Sequence, residues 1–246
     1  MASTPAPEVI LYDLACTKNT CFSPAVWRIR LVLNYKRIPY RTVFLEFPDI
    51  EPALSALNIP PYPQHSPSKH KYTVPAIHHA PSDTHVMDSL PIAKFLEETY
   101  PSPALPQSTP HDAEIIAKLR DVAGPIAFAS VMPREPAILS PRAAEYFRRS
   151  REAGLGGKTL EDGLAGEEAV WVKAQEGLRE VEGWVKEVRG GKAYVGGDEP
   201  SLTDFFIAGG LESLRTVEEG LFERYAKWEN LKGIYEACVP WMDKKD

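Results

Sequence analysis

The sequence predicts an α/β first half, a mixed sheet with flanking helices in the order βαβα then ββα, joined to an all-helical second half. Three observations carry this fold class. Short β-branched runs alternate with helical periodicity as far as Tyr100, and no strand pattern follows residue 110. Between the two regimes lies a connector holding Pro101, Pro103, Pro106 and Pro110. These divide the chain into a domain over 1–100, a linker over 101–110 and a helical domain over 111–246.

Each element has its own signal. Val9-Ile10-Leu11-Tyr12 is a short apolar run suited to a buried strand. Ser23-Pro24 supplies a helix start, a capping hydroxyl before a residue whose φ suits the first helical position. Val26, Ile29, Val32 and Leu33 follow at helical spacing. Tyr40 to Phe47 returns to strand composition, and Glu51 to Leu57 reads as a short helix. A Pro-, Ser- and His-rich loop runs on to Lys71, then Tyr72 to His78 reads as a strand interrupted by Pro75. His85 to Asp88 predicts another short strand and Leu90 to Tyr100 an amphipathic helix. Beyond the connector, helices are expected over Asp112–Val131, kinked at Gly124-Pro125, and over Glu167–Val188, Asp204–Leu214 and Leu221–Ala237.

Composition narrows the function. Of 246 residues, 43% are hydrophobic and 25% charged, the profile of an ordinary globular chain. The net charge of −6 argues against nucleic acid, whose phosphates demand a basic face. Nine basic and nine acidic residues balance up to Leu105, so the whole excess lies in the second half, and the first half better tolerates an anionic ligand. No stretch nears the roughly 20 apolar residues that span a bilayer, and the N-terminus lacks a secretory pattern. A cytoplasmic protein without membrane or nucleic-acid partners is the expectation. Cys16, Cys21 and Cys238 build no disulfide framework. His65, His70, His78, His79 and His85 cluster without metal-site spacing, so no metal is expected.

Four places bear chemistry. Ser23 sits where a hydroxyl meets the positive end of a helix dipole and can donate to a ligand thiolate. Alone, Ser23-Pro24 reads first as a plain cap. Val74-Pro75 puts a proline inside a strand; a cis bond there would turn the N–H and C=O of Val74 toward a bound peptide. Asp88-Ser89, at a strand-to-helix turn, offers a carboxylate for an ammonium and a hydroxyl with backbone N–H groups for a carboxylate. Ser201-Leu202-Thr203-Asp204 has capping-box spacing and a structural task, starting a buried helix.

In this order and spacing the four resemble the cytosolic glutathione transferase family over nearly the whole chain, most densely over residues 9–100 and 194–215. Ser23 to Lys36 and Tyr40 to Ile50 are similar to the fungal branch related to bacterial lignin etherases. The resemblance implies a thioredoxin-like glutathione-binding domain, a helical domain that shapes a second-substrate pocket, and a homodimer. It assigns thiol activation to Ser23, pairing with the cysteinyl backbone to Val74 before a cis Pro75, and the γ-glutamyl end to Asp88 and Ser89. Phe22 and Ala25 replace the branch's usual Trp and Asn, which alters the pocket edge. Phe22, Phe128, Met132 and Arg134 are the implied pocket wall.

The expected activity is attack of the glutathione thiolate on a small apolar electrophile. Glutathione is then substrate or cofactor. Its thiol pKa lies near 8.5, and lowering it by about two units needs roughly 2.7 kcal/mol. Cys21 is the rival nucleophile, implying thiol–disulfide chemistry. Two alternatives stay open: glutathione-dependent cis–trans isomerisation of an activated double bond in fungal secondary metabolism, and a non-catalytic ligand-binding role.

Overall fold

The computed structural model describes residues 8–63, 70–106 and 110–244. His65 lies outside them with the rest of 64–69, as do residues 107–109.

Strand β1 (Val9–Leu14) is buried along nearly its whole length because it is central. It pairs in parallel with β2 (Tyr40–Leu45), Val9 opposite Tyr40, and antiparallel with β3 (Ala76–His79), Leu11 opposite Ile77. Strand β4 (Thr84–Met87) completes the mixed order β2-β1-β3-β4. The β1-to-β2 crossover is α1 (Pro24–Tyr35). A short α2 (Ile50–Ala56) follows β2, and α3 (Ser89–Thr99) packs beside α1. Strand β3 starts at Ala76 rather than Tyr72, since Pro75 has no N–H for the ladder.

Beyond residue 110 the described backbone is helical: α4 (Pro110–Ile126), α5 (Pro141–Glu152), α6 (Leu160–Ala165), α7 (Glu167–Arg189), α8 (Leu202–Val217), α9 (Glu219–Tyr225) and α10 (Glu229–Cys238). The expected kink is a change of winding: α4 holds Pro125 inside it and passes into a π-helical turn, Ala127–Val131. Helices α5 and α6 had no counterpart in the sequence reading, and the stretch from Leu221 to Ala237 is two helices. Helix α8 is buried almost all round and crosses α1 closely. Gly209 permits that crossing: a Cβ there would lie 3.0 Å from Trp27 Cβ and 3.2 Å from the Arg28 backbone N. The chain just after α3 is strapped down by the buried Lys36, whose Nζ donates to the carbonyls of Tyr100 and Pro103, each at 2.7 Å.

A cavity at the junction of the two halves

Ser23 caps α1, its Oγ accepting from the Val26 N–H at 3.4 Å. The residue is buried, and its own O–H donates to no described residue. Cys21, two positions earlier, is wholly buried beside the ion pair of Asp13 and Arg30, whose N–O distance is 2.8 Å. Burial, with the Asp13 carboxylate adding to it, pushes the Cys21 thiol well above its ordinary pKa. A buried protonated thiol is a poor nucleophile.

The Val74–Pro75 bond is cis. Val74's own N–H and C=O have no hydrogen-bond partner among the described residues, while the Pro75 carbonyl accepts from Asp88 N–H at 3.0 Å. Asp88 holds φ 80°, a region where a non-glycine residue is uncommon, and its Oδ1 accepts from the Ser89 N–H at 2.6 Å. Thus the unpaired main chain of Val74 and the start of α3 lie together at one end of the β3–β4 ladder.

Arg28 joins this group from α1, Nη1 donating to Ser89 Oγ at 3.0 Å. It is 6% exposed, its guanidinium lies 4.5 Å from the Phe206 ring centroid, and its Nε has no partner. Burial first, then the like charge of Arg120, lowers its pKa to about 10, with Asp88 acting against both. Arg120 reaches the same ring at 5.5 Å.

Arg28, Asp88, Ser89, Arg120 and Phe206 open onto a cavity of about 620 Å³ between the halves, whose lining does not include Ser23, Val74 or Pro75. Pro24, Ala25, Arg28, Asp88 and Ser89 line one end; Met132, Glu135, Phe147 and Arg151 line it too, with α8 along a side. Of the four expected wall residues only Met132 is there. Phe22 is 2% exposed in the core, and its carbonyl accepts from Ser213 Oγ. Phe128 is 45% exposed, turned outward by the π-helical winding. Arg134 is drawn off by Glu167, which it grips with both Nη atoms, and by Glu218. The Phe128 and Arg134 expectations rest on helix position, and winding and ion pairing take those side chains away; Phe22 is expected from its place beside Ser23, and burial in the core removes it.

Arg28, Arg120, Phe206, Glu135 and Arg151 are cavity residues the sequence reading missed. For Arg28 a signal existed: an arginine inside an otherwise apolar helix needs a partner or a ligand. Among the histidines, His78 stacks on His85 with centroids 4.3 Å apart, and His79 bonds Ser82 and Tyr100. No group among the described residues gathers three or more metal-ligating side chains. No helix among them is long and apolar enough to cross a membrane.

Comparison with known proteins decides the family. Residues 22–99 match the glutathione S-transferase N-terminal domain and residues 116–241 the C-terminal domain. The chain belongs to the glutathione S-transferase family. A curated relative, the glutathione S-transferase-like protein ustS of Aspergillus flavus, is 30% identical, with 99% of this chain and 94% of that protein covered. Among solved structures, a glutathione S-transferase of Ceriporiopsis subvermispora in complex with glutathione is similar at 26% identity. Its TM-score is 0.84, over 97% of this transferase-family chain and 99% of that one. Glutathione transferase GSTFuA3 of Phanerochaete chrysosporium gives 28% identity and a TM-score of 0.84, over 99% and 100% of the two chains.

Proposed function

We propose that this member of the family is a glutathione transferase that ionises the glutathione thiol at Ser23 and presents it to a small, largely apolar electrophile in the cavity. One observation carries the reading. Ser23 has a hydroxyl hydrogen uncommitted among the described residues, at a helix N-terminus whose next two residues line that cavity. Donation of this O–H to the thiolate, in the field of the α1 dipole, favours the charged form. Val74 offers its free N–H and C=O to the cysteinyl peptide unit in strand fashion. Asp88 receives the γ-glutamyl ammonium, and Ser89 with the α3 N-terminus receives the carboxylate.

Isomerisation uses the same parts. The polar groups in the cavity, Arg28 with Arg120 and Glu135 with Arg151, suit a substrate activated by a carbonyl or carboxyl group, which reversible thiolate addition requires. Conjugation consumes one glutathione per turnover, whereas isomerisation returns it, so stoichiometry separates the two. The reading includes a cytoplasmic homodimer of chains divided at 101–110, to be checked by light scattering and limited proteolysis.

The test is Ser23→Ala. The ultraviolet absorbance of bound thiolate is expected to disappear near neutral pH and turnover to fall by about 10²-fold, the scale of losing one preorganised donor. Unchanged thiolate formation would overturn the assignment, and loss of activity in Cys21→Ala alone would transfer it to the cysteine. A variant with glutathione binding intact and no electrophile consumed, even by the parent protein, would mark a binding protein.

A further inference from the structure

Glu135 is the acid group in the cavity that nothing else in the fold uses. It opens the short 3₁₀ turn Glu135–Ile138 after the π-helical segment, and its side chain makes no hydrogen bond or ion pair among the described residues. The turn is fixed to the glutathione-binding half: the Ile138 carbonyl accepts from Thr17 N at 2.8 Å and from Thr17 Oγ1 at 3.2 Å. Immediately after it, Ser140 Oγ donates to Glu46 at 2.6 Å. The backbone that carries Glu135 is therefore tied to the first half of the chain, and its side chain lines the same cavity as Pro24 and Ala25 at the α1 N-terminus.

The surrounding charges are largely spoken for. Arg134, beside it, is bound to Glu167 and Glu218; on α5, Arg142 holds Glu46 and Asp49, and Arg148 holds Glu152 and Glu161. Lys18 of the neighbouring loop donates to the Thr216 carbonyl. Arg151 is the cation that Glu135 feels; it lies over the Phe147 ring at 4.8 Å and within 3.4 Å of His70. Arg28, Arg120, Asp88 and Tyr225 face the same cavity from α1, α4, the head of α3 and α9.

We propose that Glu135 is a catalytic proton donor to the acceptor, and that the cavity takes electrophiles whose double bond is conjugated to a carbonyl. This rests on the thiolate reading above. The thiolate sulfur forms a bond to the β-carbon, and the alkene electron pair moves through the α-carbon to the carbonyl oxygen. Glu135 gives its proton to the resulting enolate and becomes a carboxylate. The proton lost earlier from glutathione's thiol returns to Glu135 through solvent, so addition consumes no other reagent. Burial supports the role by raising the Glu135 pKa to about 7, against the pull of Arg151, so the acid form persists where the thiolate also exists.

The experiment compares two acceptors in Glu135→Gln: an α,β-unsaturated ketone, whose addition needs a proton, and chlorodinitrobenzene, whose substitution expels chloride and needs none. The ratio of the enone rate to the chlorodinitrobenzene rate is expected to fall by about 10²-fold, within the span of general acid catalysis. The enone pH profile should lose its descending limb above neutrality, and Glu135→Asp should retain it. An unchanged ratio, or a limb that persists in Glu135→Gln, overturns the proposal. Thiolate absorbance in the parent protein is read alongside. Its presence with an unchanged ratio sinks the Glu135 role alone, and its absence sinks both readings.

Discussion

Glu135 also makes a thermodynamic statement. Its folded-state pKa lies above the ordinary carboxylate value, so the native state binds this proton more tightly than the unfolded chain does. The associated stability is fully present below about pH 4.5 and is lost as pH rises towards about 7, to a limit of roughly 3 kcal/mol. Glu135→Gln should therefore unfold at higher urea than the parent at pH 8, with the gap closing towards pH 4.5; a gap independent of pH would refute the burial argument. Single residues differed sharply in how far the sequence exposed them. The helix-start positions of Ser23, Asp88 and Ser89 were legible because such positions carry a local signature. Glu135 had none: its meaning comes from sharing a cavity with Phe147, Arg151 and Arg28, which only the folded chain brings together.

Helix α8 begins with a complete capping box. Asp204 accepts from Ser201 N–H at 2.8 Å, from Ser201 O–H at 2.6 Å and from Val195 N–H at 2.8 Å, all in a buried setting. Removing the hydroxyl by Ser201→Ala should cost about 1–2 kcal/mol, the upper part of the capping range, because Asp204 is left short of a donor where water cannot replace it. Chemical denaturation would register this, and an unchanged midpoint would contradict it. The box was readable because its residues are three apart. Helix α5 escapes the same reading although Ser140 Oγ accepts from Ala143 N–H before Pro141, because its body is so rich in arginine and glutamate that apolar periodicity is thin. Helices α9 and α10 merged in the sequence reading because Ala226-Lys227-Trp228, which parts them, holds neither proline nor glycine.

Across the whole molecule, the α1–α8 crossing joins the two halves. Gly209→Ala would push a methyl against Trp27 Cβ and the Arg28 backbone, neither the yielding end of a flexible chain. Separation of the helices by a few tenths of an ångström is expected to cost about 1–3 kcal/mol. It should also weaken glutathione binding by displacing Arg28 from Ser89. Thermal unfolding and a binding titration would measure the two effects, and an unaltered melting temperature would show the crossing to be looser than drawn. The two-part architecture was legible because a change of periodicity and a proline-rich connector announce it. The shape of the cavity was not, since it depends on the angle at which distant helices meet.

Helix α8 presents Gly209 to α1 while Phe206, Ile207, Gly210, Leu211 and Leu214 look into the cavity. The same rod is thus both keystone and chamber wall, and the two tasks constrain its inheritance differently. A mutation there meets the folding requirement before it can be tried against a new acceptor. Descendants of such a chain can explore new chemistry more readily through α4, the π-helical turn, the Glu135–Ile138 turn and α5. Innovation in this lineage should therefore run along the flank opposite α8, and a directed-evolution library confined to that flank should yield more functional clones than one of equal size spent on α8.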